Sequence, residues 1–166
     1  MEYPRLVRWL VKKGANPCVV SPSGDTPLSF AVTQSPLETI KLLISSNQRY
    51  NQDLSTGDLV HRAVKRCGKE QNLEILDVLI RAGAPVDNAL WDQPPAYHTK
   101  QHFLRGTPLH EACKHGYAEV ADMLIANGAN PHKKKTRYRR DEGETPYEIA
   151  VAKNDGVMLE VMQRHV

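Results

Sequence analysis

This chain of 166 residues lacks the features that several classes of protein require. It has three widely spaced cysteines, Cys18, Cys67 and Cys113, and no C-x-x-C pair. Such a set does not build a disulfide framework or a zinc or redox motif, so we expect a reducing intracellular compartment. Its apolar runs are short, and none approaches the roughly 20 residues that span a bilayer. The N-terminus also lacks the layout of a signal peptide, so we expect no membrane partner.

Motifs for catalysis and cofactor binding are also missing. There is no glycine-rich phosphate loop, and no cysteine is placed beside a base that would activate it. His110 and His115 invite comparison with zinc proteases, but five helical steps turn the second ring about 140° away from the first. His98 and His102 are four residues apart but lack a third ligand. The sequence therefore predicts no enzyme, no cofactor and no metal site.

An internal repeat of two blocks fills most of the chain instead. The first block is Thr-Pro-Leu-His-Glu-Ala at 107–112, and variants of it lie at 26–31, 58–63 and 145–150. The second block is an apolar run, found at 6–17, 39–47, 75–84 and 119–131. A Thr or Asp cap followed by Pro predicts the start of a helix in the first block. The second block has apolar residues at helical spacing, which predicts a second helix.

A helix-terminating residue closes each second block. Gly14, Gly83 and Gly128 suit the left-handed position after a helix, and Asn47 occupies that place in one repeat. The linked motifs closely resemble the T-P-L-H-x-A and L-L-x-x-G-A-x motifs of the ankyrin-repeat family, over nearly the whole chain. The resemblance implies an all-α ankyrin-repeat solenoid, in which stacked helix-turn-helix pairs are joined by β-hairpin fingers.

About four and a half repeats are expected. The units are a half repeat at 1–23, repeats at about 24–56, 57–88, 105–131 and 143–166, and extended fingers at 88–105 and 132–142. The half repeat is a second helix with no first helix before it, so its apolar residues would be exposed. A longer natural protein is the favoured explanation, and cover by a partner or a second copy is the other.

Insertions disturb the repeat spacing. The terminating residues are separated by 33, 36 and 45 positions, and the first of these is the plain ankyrin period. One insertion, at 68–72, lies between two helices, so the repeat at 58–83 is expected to be the least regular. The other two extend the fingers, which in this family belong to the partner-binding side together with the first helices.

The two extended fingers differ in chemistry. The long finger, 88–105, carries Trp91, Tyr97 and Phe103, and these side chains either bind a partner or fold back on the stack. The basic finger, 132–142, has six positive charges between 133 and 140, without which the formal charge falls from +3 to −3. This finger is interpreted as a solvated hairpin, as a docking patch for an acidic partner, or as a nuclear-import or nucleic-acid contact.

A non-catalytic protein–protein interaction module is the function we predict, with nuclear or anionic-ligand binding through 133–140 as the alternative. The partner is another protein of unknown identity, nucleic acid is disfavoured, and the compartment is the cytoplasm, with the nucleus as the alternative. The resemblance also implies that His61 and His110, which match the T-P-L-H histidine of the family, hydrogen-bond the backbone of an adjoining finger. The expected partner-binding residues are Trp91, Tyr97, His98, Phe103, Arg105, Lys133, Lys134, Lys135, Arg137, Tyr138, Arg139, Arg140, Arg62, Lys65, Glu111 and Lys114.

Overall fold

The computed structural model describes residues 3–49, 53–66 and 72–165. These residues form ten helices and one two-stranded hairpin. The helices are α1 (Tyr3–Lys12), α2 (Pro27–Gln34), α3 (Leu37–Arg49), α4 (Leu59–Lys65), α5 (Asn72–Arg81), α6 (Ala96–Lys100), α7 (Pro108–His115), α8 (Ala118–Ala126), α9 (Pro146–Ala152) and α10 (Gly156–Arg164). The strands are β1 (Thr136–Arg137) and β2 (Arg140–Asp141).

The helices stack as antiparallel pairs in a solenoid. The pairs are α2–α3, α4–α5, α7–α8 and α9–α10, and α1 precedes them as a single helix. The first helices α2, α4, α7 and α9 form one continuous row, while α1, α3 and α5 and then α8 and α10 pack in the second row. Because each pair contacts mainly its neighbours, the apolar faces are buried by the array rather than within one unit. The all-α ankyrin-type solenoid predicted from the sequence is confirmed.

Small residues set how closely the first helices approach one another. Ala31, Ala63, Ala112 and Ala150, the last residues of the four first blocks, are all buried. Larger apolar side chains around them, such as Leu28, Leu76, Leu109 and Leu124, are fully buried as well. Each of these contributes about 1.5–3 kcal/mol relative to an exposed side chain. The core is therefore a continuous strip along the stack.

Threonine begins three of the four first helices, as predicted. Thr26 and Thr145 accept hydrogen bonds from the backbone N–H of the third residue of α2 and of α9, at 3.0 and 3.1 Å, in complete capping boxes. The interpretation of Asp58 as a side-chain cap of α4 is wrong. Its backbone is left-handed, with φ of 52°, and its carboxylate makes no capping bond to α4. The carboxylate instead accepts a hydrogen bond from the backbone of Trp91.

Glycine ends three of the second helices, also as predicted. Gly14, Gly83 and Gly128 have φ of 92°, 95° and 97°, and the residue after each donates to a carbonyl five positions earlier, in the Schellman arrangement. Asn47 does not play this part. The helix α3 continues through it to Arg49, and the Asn47 side chain is buried and accepts from the Cys18 thiol.

The basic finger is the β-hairpin that was predicted, and the long finger is not. The basic finger is a hairpin in which Arg137 faces Arg140, and its two loop residues, Tyr138 and Arg139, both have positive φ, as a type I′ turn requires. The long finger contains the short helix α6 and no strand pair of its own. Its end at Arg105 pairs instead with Thr136 of the basic finger, through two backbone hydrogen bonds of 2.9 Å.

The first helix exposes apolar side chains, as expected for a half repeat. Leu6, Trp9 and Leu10 of α1 are all exposed. No helix in the described parts of the chain is both long enough and apolar enough to cross a membrane. Cys67 and most of the insertion at 68–72 lie outside the described residues, so the irregularity expected there stays a prediction.

Candidate partner-binding site

A pocket of about 360 Å³ lies where the first helix α4 meets the long finger. Asp58, Arg62, Lys65 and Arg66 line it from α4 and its two ends, and Leu90 and Trp91 line it from the long finger. Three of the expected partner-binding residues, Arg62, Lys65 and Trp91, are thus brought together in one place. The size falls within the range of ordinary ligand pockets.

The two arginines of the pocket are bound to their own protein. The guanidinium of Arg62 pairs with Asp25 and donates to the Gly57 carbonyl at 2.8 Å. Arg66 donates from Nη1 to the carbonyls of Val32 and Ser35, both at 2.9 Å. Burial lowers the pKa of Arg66. These contacts hold both side chains in fixed positions and tie α4 to the preceding repeat.

Asp58 connects the pocket floor to the long finger. Its Oδ1 accepts from the backbone N–H of Trp91 at 2.9 Å. Burial raises the pKa of its carboxyl, against the opposing effects of this hydrogen bond and of Arg62. Sequence reasoning missed this residue, although an Asp in place of the usual Thr is a signal, because Asp tolerates left-handed backbone better than Thr does.

Arg105, expected on the surface, is buried. Its side chain is 0% exposed and lies within the long finger, where Nη1 donates to the Trp91 carbonyl at 3.3 Å and lies 3.5 Å from Asp92 Oδ1. The guanidinium also sits 5.0 Å from the Tyr97 ring centroid. Its backbone pairs with that of Thr136 in the basic finger. Arg105 therefore acts as an internal support of the loop that carries Trp91.

The aromatic residues of the long finger divide between packing and exposure. Trp91 and Tyr97 are partly buried, while Phe103 is 46% exposed and His98 is exposed. The Trp91 and Phe103 rings lie 6.0 Å apart, and Lys100 Nζ lies within 6 Å of both centroids. The finger thus presents an aromatic cluster that is partly packed on itself and partly open.

Tyr97 joins the long finger to the basic finger. Besides Arg105, the guanidinium of Arg139 lies over its ring, 4.6 Å from the centroid. The carbonyl of Gln101 accepts from the backbone N–H of Tyr138 at 2.9 Å. Together with the pairing of Arg105 and Thr136, these contacts make the two extended fingers one connected surface.

Carboxylates pair with three of the six positively charged side chains in the basic finger. Lys133 pairs with Asp87 at 3.0 Å, Lys135 with Glu144 at 3.2 Å and Arg137 with Glu142 at 3.5 Å. Lys134 and Arg140 are exposed, and neither has a side-chain partner among the described residues. Tyr138 is 55% exposed at the tip. The charge available to a ligand is therefore smaller than the count of six suggests.

The first helix α7 packs next to α4 in the row of first helices and carries further charged residues. Glu111 pairs with His115 at 3.2 Å, and Lys114 is exposed. The Lys114 carbonyl accepts from Lys153 Nζ at 2.6 Å, which ties α7 to the last repeat. These residues lie on first helices, as do Arg62 and Lys65.

The two histidines of the first blocks have the structural role predicted for them. His61 Nε2 lies 3.1 Å from the Gly106 carbonyl, and His110 Nε2 lies 3.0 Å from the Glu144 carbonyl. His110 Nδ1 accepts from the Thr107 N–H at 2.9 Å, which fixes the neutral tautomer with its proton on Nε2. Burial lowers the pKa of each histidine to about 4.

The Cys113 thiol lies in the core of the stack. Burial raises the pKa of this thiol to about 12, so it behaves as an apolar core group. No group of three or more His, Cys, Asp or Glu side chains that could hold a metal ion is found in the part of the chain that the structure describes.

The fold defines a helical repeat solenoid in which the first helices form one row and the pocket lies between this row and the long finger. The family model described as ankyrin repeats (3 copies) matches residues 2–89 and 60–163. The chain therefore belongs to the ankyrin-repeat family. Domains of this family generally mediate protein–protein interactions and are typically non-catalytic.

Two curated relatives are similar to parts of the chain. The protein named Putative E3 ubiquitin-protein ligase XBAT35, from Arabidopsis thaliana, is 28% identical over 100 residues, which are 60% of this chain and 18% of that protein. Rabankyrin-5, from Homo sapiens, is 31% identical over 109 residues, which are 64% of this chain and 8% of that protein. The chain thus spans less than a fifth of the length of either relative.

Proposed function

We propose that this chain binds another protein through its concave side, with the pocket between α4 and the long finger at the centre. One observation carries the proposal. The pocket gathers Arg62 and Lys65 from a first helix and Trp91 from an insertion that repeats of plain length do not have. Trp and Arg are the side chains that most often dominate interface energetics.

The rigidity of the pocket also supports binding. Trp91 is held at its N–H by Asp58 and at its carbonyl by Arg105, and Arg62 and Arg66 are fixed by backbone carbonyls. A site that is already ordered loses little conformational entropy when a partner binds. An aromatic residue in such a setting is better suited to recognition than one on a free loop.

The exposed residues around the pocket are proposed as the rim of the interface. Phe103 and His98 extend it along the long finger, Lys114 and Glu111 along α7, and the basic finger adds further charge. Exposed cations on this side would attract an acidic partner and speed its association rather than supply most of the affinity. The rim residues of the basic finger are Lys133, Lys134, Lys135, Arg137, Tyr138, Arg139 and Arg140.

Binding of a nuclear factor or anionic ligand through 133–140 alone is the alternative. Three cations of this finger support it, because the other three already have carboxylate partners. Reversing the charge at Lys134, Arg139 and Arg140, which have no carboxylate partner among the described residues, tests this alternative. Unchanged nuclear import and unchanged anion binding in that variant would exclude it.

Affinity capture with matched variants tests the main proposal. The chain is immobilised and exposed to a lysate of cells that express it, and captured proteins are identified by mass spectrometry. A true partner should bind the natural chain and the control Arg81→Glu, since Arg81 lies on α5 in the second row of helices. The same partner should be lost with Lys65→Glu, which makes the same charge change inside the pocket. Equal capture by all three proteins would overturn the proposed binding face.

A further inference from the structure

One cation in the pocket lining has no hydrogen-bond or ion-pair partner among the described residues. Arg62 is committed to Asp25 and Gly57, and Arg66 to Val32 and Ser35. The hydroxyl of Thr33, also in the lining, donates to the Phe30 carbonyl at 2.7 Å. Lys65 is exposed and has no side-chain partner among the described residues. Lys65 therefore supplies the ammonium group of the lining that is free to bind a ligand.

Two residues of the long finger give the pocket its apolar lining. Leu90 and Trp91 line it, and the backbone of Leu90 donates to the Gly106 carbonyl at 2.9 Å. The Trp91 ring lies against Phe103, with centroids 6.0 Å apart. A pocket lined by both Trp91 and the unpaired Lys65 has two distinct binding preferences. One favours a negative charge, and the other favours a large apolar group.

We infer that the pocket binds an acidic residue of the partner together with a large apolar side chain close to it in sequence. The carboxylate pairs with Lys65, and the apolar side chain packs on Trp91 and Leu90. This inference rests on the proposed protein-binding function and names the chemistry of the segment that the pocket recognises. A volume of about 360 Å³ leaves room for both groups.

Charge complementarity favours a carboxylate over a phosphate group. Phosphorylated segments are recognised by clusters of arginines with free forks, because the group carries close to two negative charges. Here Arg62 is paired with Asp25, and Arg66 uses Nη1 for two backbone carbonyls while its Nε is buried, so neither arginine presents a whole free fork. Lys65 is the lining cation that has no partner among the described residues, and one ammonium group pairs with one carboxylate.

Fluorescence titration with synthetic peptides tests the inference. Trp9 and Trp91 are the two tryptophans of the chain, so the Trp9→Phe variant makes Trp91 the sole indole reporter. The probes are short Gly-Ser peptides that carry one Glu and one Leu or Phe at varied spacing. At one spacing or more, we expect saturable binding that shifts the Trp91 emission. Replacing Glu by Gln should weaken binding about tenfold, as loss of a charged hydrogen bond does.

Charge reversal supplies the matched controls. In the Trp9→Phe background, Lys65→Glu should lose the Glu peptide and gain binding of a peptide with Lys in place of Glu, whereas Arg81→Glu should change neither. A peptide with phosphoserine in place of Glu should bind no more tightly than the Glu peptide. No saturable binding at any spacing, equal binding of Glu and Gln peptides, or tighter binding of phosphoserine would each overturn the inference. Any of these results would leave the proposed binding face standing if affinity capture still depended on Lys65.

Discussion

Acidification should destabilise the fold through its two buried histidines. His61 and His110 have pKa values lowered to about 4 by burial, against about 6.5 in an unfolded chain. As the pH falls from about 6.5 towards 4, the two histidines therefore become protonated in the unfolded state while they stay neutral in the folded state. The contribution of the neutral histidines to the free energy of unfolding is therefore fully present above about pH 6.5 and is lost progressively as the pH falls to about 4.

The magnitude follows from the two pKa values. At pH 5 an unfolded histidine is almost fully protonated and the folded one is not, which costs about 2 kcal/mol for each residue and about 4 kcal/mol for both. A domain with about 5–15 kcal/mol of total stability would lose a large part of it. The raised pKa of Asp58 acts in the opposite sense, because the folded state accepts that proton first.

Urea denaturation at pH 7 and pH 5, followed by circular dichroism, measures the effect. The two histidines should together contribute a loss of about 4 kcal/mol between the two pH values, equivalent to a midpoint lower by about 1.5–2 M urea. His61→Gln and His110→Gln should each remove about half of this difference, whatever their stability at pH 7. The exposed His98→Gln serves as the control and should leave the difference unchanged. Asp58 is present in the natural chain and in all three variants, so its contribution cancels when their losses of stability are compared.

One result would refute the reasoning. If both buried-histidine variants show the same loss between pH 7 and pH 5 as the natural chain, the histidines do not link protonation to folding. The finger contacts at Gly106 and Glu144 would then not hold neutral imidazoles.

Three further predictions concern the free energy of unfolding of single-residue variants, measured by urea denaturation at pH 7. Gly24→Ala should cost at least about 1 kcal/mol more than Gly14→Ala. Both glycines have positive φ, but an added Cβ at Gly24 would lie 2.9 Å from the Ala96 Cβ, while Gly14 faces open space; equal losses would contradict this. Thr145→Ala should lower stability by about 1 kcal/mol because the capping box of α9 is lost, and no change would show the cap to be dispensable. Arg105→Ala should lower the free energy of unfolding by about 3 kcal/mol. Arg105→Met should lower it clearly less, because methionine fills the volume. Equal losses for the two variants would point to the charge of Arg105 rather than its packing.

Local chemistry explains why the repeats could be predicted from the sequence. Thr26 and Thr145 cap helices, and Gly14 and Gly128 end them, through bonds between residues a few positions apart. Such signals are present in the sequence itself, so the all-α solenoid follows from them. Asn47 shows the limit, because a residue that tolerates left-handed backbone does not require it, and α3 continued past it.

The candidate site depends on contacts between distant residues, which the sequence does not display. The helix α6 inside the long finger, the burial of Arg105 and the bond between Asp58 and Trp91 all arise from packing across more than one element. Composition identified the finger as aromatic, but it could not say which side chains support the loop and which face outward. The same applies to the basic finger, where Asp87 is far from Lys133 in sequence yet pairs with it.

Site-specific photocross-linking to a captured partner tests the central claim most directly. A photoreactive amino acid is placed at Lys65, in the pocket, or at Arg81, on the second row of helices, and each protein is irradiated with the partner. The account predicts cross-linked partner from position 65 and none from position 81. Cross-linking from position 81 without any from position 65 would contradict it, because the partner would then bind the opposite side of the solenoid.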